Sequence, residues 1–144
     1  MTVISPRVLF LDDDPNRAEV FLINRPSAVW VETAEECIAR LAEPWDEVHL
    51  DHDLGGEAFV DHDREDCGME VVRWLCDSFR DHLKECQFVV HTRNPNASCM
   101  MLMHLQVTGY KVVERPFGAP AFEDGPPRSA RGPWARLRDW LTRG

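Results

Sequence analysis

At 144 residues with 44% apolar side chains, the chain has enough material for one compact domain with one core. A net charge of −9 excludes sequence-independent binding along an extended nucleic-acid backbone, which needs clustered Lys and Arg to displace counterions. No apolar run approaches the roughly 18 residues that cross a membrane, and no apolar stretch follows a basic start, so neither a membrane span nor a secretory signal is expected.

The chain reads as strand, helix, strand, helix, repeated. Arg7 to Asp14 (RVLFLDDD) is an apolar run that ends in acid. PNRAEVFLIN follows as a helix, with Pro15 suited to its first turn and Asp14 to its cap. Ala28 to Thr33 (AVWVET) is a short β-branched strand. Thr33 then caps AEECIARLAE, where Glu36 three residues later completes a capping box and Pro44 stops the helix.

EVHLDHDL is the third strand, followed by the long polar loop GGEAFVDHDRED. Gly68 to Phe79 carries Val71, Val72, Leu75 and Phe79 at helical spacing. Cys86 to Thr92 (CQFVVHT) is the fourth strand. Pro95 and Asn96 open NASCMMLMHLQVTG, a helix that Gly109 ends. Tyr110 to Phe117 is the fifth strand, broken at Pro116. A last helix carries Trp134, Leu137, Trp140 and Leu141 as an apolar stripe, read as packing on the sheet. Five cysteines, an odd number with no C-x-x-C pair, predict reduced thiols and a cytoplasmic location.

Five strands alternating with five helices predict an α/β fold over residues 1–144. It is a single domain with one five-stranded parallel sheet and helices on both faces. In such sheets ligands lie beyond the carboxyl ends of the strands. The strand ends hold Asp12, Asp13 and Asp14; Asp51, His52 and Asp53; His91, Thr92, Arg93 and Asn94; and Arg115 with Pro116.

Asp12, Asp13 and Asp51 converge if strands one and three are neighbours, as in flavodoxin-like sheets. Crowded carboxylates repel unless a cation neutralises them, and hard oxygen ligands suit Mg²⁺ or Mn²⁺. Thr92 and Arg115 can bind phosphoryl oxygens, and Asn94 can orient a ribose or phosphate. His52 and His91 sit beside these groups as candidate general acids or bases, with a purely structural role open for each. His49, inside a strand, reads as a core histidine; His62, His82 and His104 read as ordinary surface or helix residues.

VLFLDDDPNRA resembles the opening of a response-regulator receiver domain. The resemblance runs from Val8 to Phe117. It implies an acidic metal-binding pair at Asp12 and Asp13, a phosphoacceptor at Asp51 and the family's Ser or Thr at Thr92. Arg115 stands where the family has Lys before a proline. LDHDLGG and HTRNPNAS resemble a divergent group, the cyclic-phosphate processing receiver domains, and this resemblance implies action on a cyclic phosphate. VHLDHDL is also similar to the D-x-D strand of haloacid dehalogenase-like phosphatases, but there the acidic pair follows the Thr strand, whereas here it precedes Asp51.

The leading expectation is therefore a metal-dependent phosphoesterase that opens a cyclic phosphate on a nucleotide or an RNA end. Asp12, Asp13 and Asp51 would hold the metal, Thr92, Asn94 and Arg115 the substrate, and His52 or His91 would protonate the leaving hydroxyl. Asp51 acting as a transient nucleophile is a variant of it. Asp53 offers no more than its backbone carbonyl. The alternatives are a stand-alone receiver module phosphorylated at Asp51 by a partner kinase, and a degenerate receiver that only binds a protein partner.

Overall fold

The computed structural model describes residues 6–54, 64 and 66–115. In chain order its elements are β1 (Val8–Leu11), α1 (Pro15–Asn24), β2 (Val29–Val31), α2 (Ala34–Arg40), β3 (Glu47–Leu50), α3 (Gly68–Asp77), a short 3₁₀ turn (Asp81–Leu83), β4 (Gln87–Val90), α4 (Pro95–Thr108) and β5 (Lys111–Glu114). The expected last helix, Pro116, Gly55 and Gly56 lie outside the described residues.

The five strands form one parallel sheet in the order β2-β1-β3-β4-β5. β1 and β3 are neighbours, as the convergence of Asp12 and Asp51 requires. Each strand is shorter than the stretch expected from the sequence, because the acidic and polar residues at its carboxyl end have left the regular ladder. The backbone still holds them in place. Asp51 N–H donates to Leu11 O (3.1 Å), His91 N–H to Leu50 O (3.0 Å) and Arg115 N–H to Val90 O (2.8 Å).

Side chains alternate between the two faces. Leu9, Leu11, Val48, Leu50, Phe88 and Val90 pack into the larger core with residues of α2, α3 and α4. Val8 and Phe10 form a second cluster with Ala18 and Phe21 of α1. Phe10, with no exposed surface, stacks on Phe21 at 4.1 Å and 14°, a pair worth roughly 0.5–1.5 kcal/mol beyond its burial. His49 lies on this α1 face, buried as expected, with its ring edge-on to Phe21. Burial pushes its pKa down to about 4, against the opposing pull of Glu47.

The helix ends follow the local chemistry. The Asp14 carboxylate accepts from Asn16 N–H and caps α1, with Pro15 in the first turn. The Thr33 hydroxyl accepts from Glu36 N–H and caps α2. Gly109 ends α4 at φ 110°, a left-handed conformation that favours glycine. Among the described residues no helix is long and apolar enough to cross a membrane.

Candidate functional site

The site follows from strand parity. Asp12, Asp51, His91 and Arg115 form one row across the sheet, one residue beyond the paired Leu11, Leu50, Val90 and Glu114. Two residues back along the strands lie Phe10, His49, Val89 and Val113 on the same, α1-facing side. His52, one step beyond Asp51, turns the other way.

Asp12, Asp51 and His91 are each at most 4% exposed, and each offers a ligand atom within 4.8 Å of the others. His91 Nε2 lies 2.9 Å from Asp12 Oδ2, and because a carboxylate only accepts, Nε2 is the donor. The His91 ring also stacks on Phe10 at 5.0 Å and 13°, which fixes its plane.

Asp12 is the most heavily bonded group. Beyond His91, it accepts from Asp14 N–H at 2.8 Å and from Arg17 Nε and Nη2 at 2.9 Å each. Its backbone oxygen accepts from Trp30 Nε1 at 2.7 Å. Burial alone would raise its pKa, but the bonds from His91 and Arg17 outweigh burial and hold it at about 2. Asp51 differs. Burial pushes its pKa up to about 6, and the Asp12 charge adds to the rise while His91 and Arg17 oppose it. Its Oδ2 is buried and accepts no hydrogen bond among the described residues; Arg17 Nη2 comes no nearer than 3.5 Å.

The remaining candidates are placed elsewhere. Asp13 lies at the mouth of the site, 3.7 Å from Arg17 Nη2. His52 turns away from the row: its Nδ1 is 2.8 Å from Asp53 Oδ1. Burial lowers the His52 pKa, but Cys67 and Asp53 together raise it above its ordinary value. Asn94 caps α4 by accepting from Ala97 N–H and donates to Asp53 Oδ1 at 3.4 Å. The Thr92 hydroxyl, buried, accepts from Asn94 N–H at 3.1 Å. Arg115 is buried at the end of the row.

Sequence reasoning missed two residues of the site. Arg17 is the one base between Asp14 and Arg25, and a helix beginning at Pro15 carries it back over the end of β1. Gly68 opens α3 against the end of β3. A Cβ there would stand 2.0 Å from Asp51 O, so the helix reaches this close only because the residue is glycine. The long intervening loop hides that contact in the sequence.

Residues 7–107 match the family described as Cyclic-phosphate processing Receiver domain, and the chain belongs to that family. No curated protein sequence matches it. Among solved structures it is similar to the Mn(2+)-bound form of response regulator Rcp1 (12% identity, 78% of this chain and 81% of that one, TM-score 0.55). It is similar as well to the bacteriophytochrome response regulator AtBRR (20%, 79% and 84%, TM-score 0.52) and to the response regulator domain of Thermotoga maritima CheB (13%, 94% and 96%, TM-score 0.53). The fold is thus the flavodoxin-like receiver fold.

These relationships correct the expectation of a metal-dependent phosphoesterase acting on a cyclic phosphate. The family is a receiver family and the matched structures are response regulators, which fits the alternative of a phosphoacceptor receiver better. The geometry supplies a physical reason. Of the two imidazoles expected to protonate a leaving hydroxyl, His52 turns away from Asp51 toward Asp53, and His91 directs Nε2 at Asp12. The small-substrate or RNA-end partner tied to that expectation has no support either. An acidic cluster compatible with a divalent metal remains, and His91 now belongs to it.

Proposed function

We propose that the chain is a receiver signalling module that accepts a phosphoryl group on Asp51 from a protein partner. The observation that carries this reading is Asp51 Oδ2: a buried carboxylate oxygen at the end of the central strand, without a hydrogen bond from the described residues, beside a second carboxylate and a guanidinium. Such an oxygen can act as a nucleophile toward phosphorus. Its lone pair forms the new P–O bond, the donor's own P–O bond breaks, and the donor leaves with that electron pair.

The residues fit a divalent cation. Two buried carboxylates and an imidazole converge, and Asp51 Oδ2, which accepts no hydrogen bond among the described residues, keeps its lone pairs for a cation. Asp12, Asp51 and His91 would hold the ion, with Asp13 at the mouth. When bound, Mg²⁺ or Mn²⁺ neutralises the carboxylates and draws in phosphoryl oxygens. Thr92 and Arg115 are the donors assigned to those oxygens in the phosphorylated form. Five free cysteines support a reducing compartment such as the cytoplasm.

Incubation with acetyl phosphate and Mg²⁺ tests the reading. Intact-mass measurement should show one added phosphoryl group, labile to hydroxylamine and lost in Asp51→Ala. No adduct on folded protein, or an adduct that persists in Asp51→Ala, would falsify it.

A further inference from the structure

We propose that Arg17 is an internal cation that fills the divalent-metal pocket and must be displaced for a metal to enter, so that it sets the pocket's metal affinity. This rests on the metal-binding receiver reading above.

One guanidinium reaches all four neighbouring carboxylates. Nε and Nη2 grip Asp12 from 2.9 Å in a bidentate pair; Nη2 also lies 3.5 Å from Asp51 Oδ2 and 3.7 Å from Asp13 Oδ1, and Nη1 lies 3.6 Å from Asp14 Oδ2. Nη2 therefore occupies the point that a cation shared by Asp12, Asp13 and Asp51 would take. A divalent ion and a guanidinium cannot both sit there, because like charges a few ångströms apart in a buried site repel strongly.

Arg17 fills the space without satisfying Asp51. Its Nε and Nη2 hydrogen-bond Asp12, while Asp51 Oδ2 is left at ion-pair distance, 3.5 Å from Nη2. A fixed planar fork cannot bring its donors to carboxylates arriving from three directions, whereas a small spherical ion bonds oxygens at about 2.0–2.2 Å from any side. Exit is also open. The Arg17 side chain is 29% exposed, and Asp14, the outermost of the four acids at 35%, offers a carboxylate on the way to solvent. The displaced charge thus moves outward along α1 and not through a dry core.

Direct Mn²⁺ binding tests this without reference to phosphorylation. Calorimetry or the electron paramagnetic resonance of free Mn²⁺ would be applied to the full chain, to Arg17→Gln and to Arg17→Lys. Arg17→Gln should bind Mn²⁺ about tenfold more tightly, and Arg17→Lys should fall between it and the parent. Arg17→Gln should also melt at a lower temperature than the parent in chelator and gain more on adding Mn²⁺, which keeps the test readable if the variant is only marginally folded. Unchanged or weaker binding by Arg17→Gln, with the parent still binding, overturns the role of Arg17 and leaves the metal site standing. Absence of binding in both overturns the role of Arg17 and the metal reading with it.

Discussion

His91 Nε2 and Asp12 Oδ2 meet at 2.9 Å across 79 residues of chain, at the ends of strands that are not neighbours. β3 lies between β1 and β4, so the contact spans the strand that carries Asp51. An imidazole thereby enters a cluster that the acidic residues alone would leave to hard oxygen-binding ions. Imidazole favours transition metals over Mg²⁺, which sheds its water reluctantly. Wild-type protein should bind Mn²⁺ more tightly than Mg²⁺, by roughly tenfold. His91→Gln should narrow that ratio by lowering Mn²⁺ affinity more than Mg²⁺ affinity. Titration calorimetry with both ions measures it; an unchanged ratio would remove His91 from the ligand set.

Phosphoryl transfer to Asp51 needs its carboxylate form. With burial holding its pKa up at about 6, the reactive fraction falls as pH drops through that value. Labelling by acetyl phosphate at low Mg²⁺ should fall by about tenfold for each pH step below it, and saturating Mg²⁺ should move the midpoint down, since a cation favours the charged form. Rates followed by intact mass between pH 4.5 and 8 give the profile. A midpoint near the ordinary carboxylate range in chelator would show that burial does not control this group.

The same shift is a statement about stability. Asp51 titrates near 3.8 when exposed and at about 6 in the fold, so it takes up its proton more readily when folded. Its contribution is fully present below about 3.8 and is lost as pH rises through about 6. At pH 7.5 without metal, Asp51→Asn should therefore be more stable than the parent by on the order of 1–3 kcal/mol, and the gap should close near pH 4. Asp12 behaves oppositely. Its depressed pKa gives stability above about 3.8 that is lost as pH falls through about 2, in both proteins. Denaturant melts at the two pH values measure the difference; equal midpoints at pH 7.5 would contradict the prediction.

Gly68→Ala should damage fold and site together. The added Cβ meets backbone at 2.0 Å from Asp51 O and 2.8 Å from His52 Cα, and backbone cannot rotate aside. The loss should be at least about 1–3 kcal/mol, with Mn²⁺ affinity falling in parallel because the end of β3 shifts. A control in an exposed helix position, Glu19→Ala, should leave both nearly unchanged. If Gly68→Ala melts with the parent, α3 does not press on the strand that carries Asp51.

Much of the architecture was legible from periodicity and local chemistry. Val8–Leu11 is wholly apolar, and Glu47–Leu50 and Gln87–Val90 are buried over their last three residues, because both faces of a parallel sheet are covered. Asp14, Thr33 and Gly109 mark helix ends through bonds or dihedral angles within a few residues. For the same reason the strand-end residues, and so the neighbourhood of the site, were identifiable along the chain. The expectation of a phosphoesterase was drawn from the same strand-end residues, and the family and fold relationships overturned it.

What the sequence determined by itself is the order of strands and helices and the chemical types at the strand ends, since both depend on neighbours in the chain. Tertiary structure alone decided who shares the pocket. The two-residue pleat sends Asp12, Asp51 and His91 to one face and His52 to the other, where it meets Asp53. The start of α1 over β1 then swings Arg17 back onto four carboxylates. Asp12, Asp51 and His91 are distant in sequence, as are Arg17 and Asp51, and their meeting follows from strand order, register and helix placement, which no local pattern encodes.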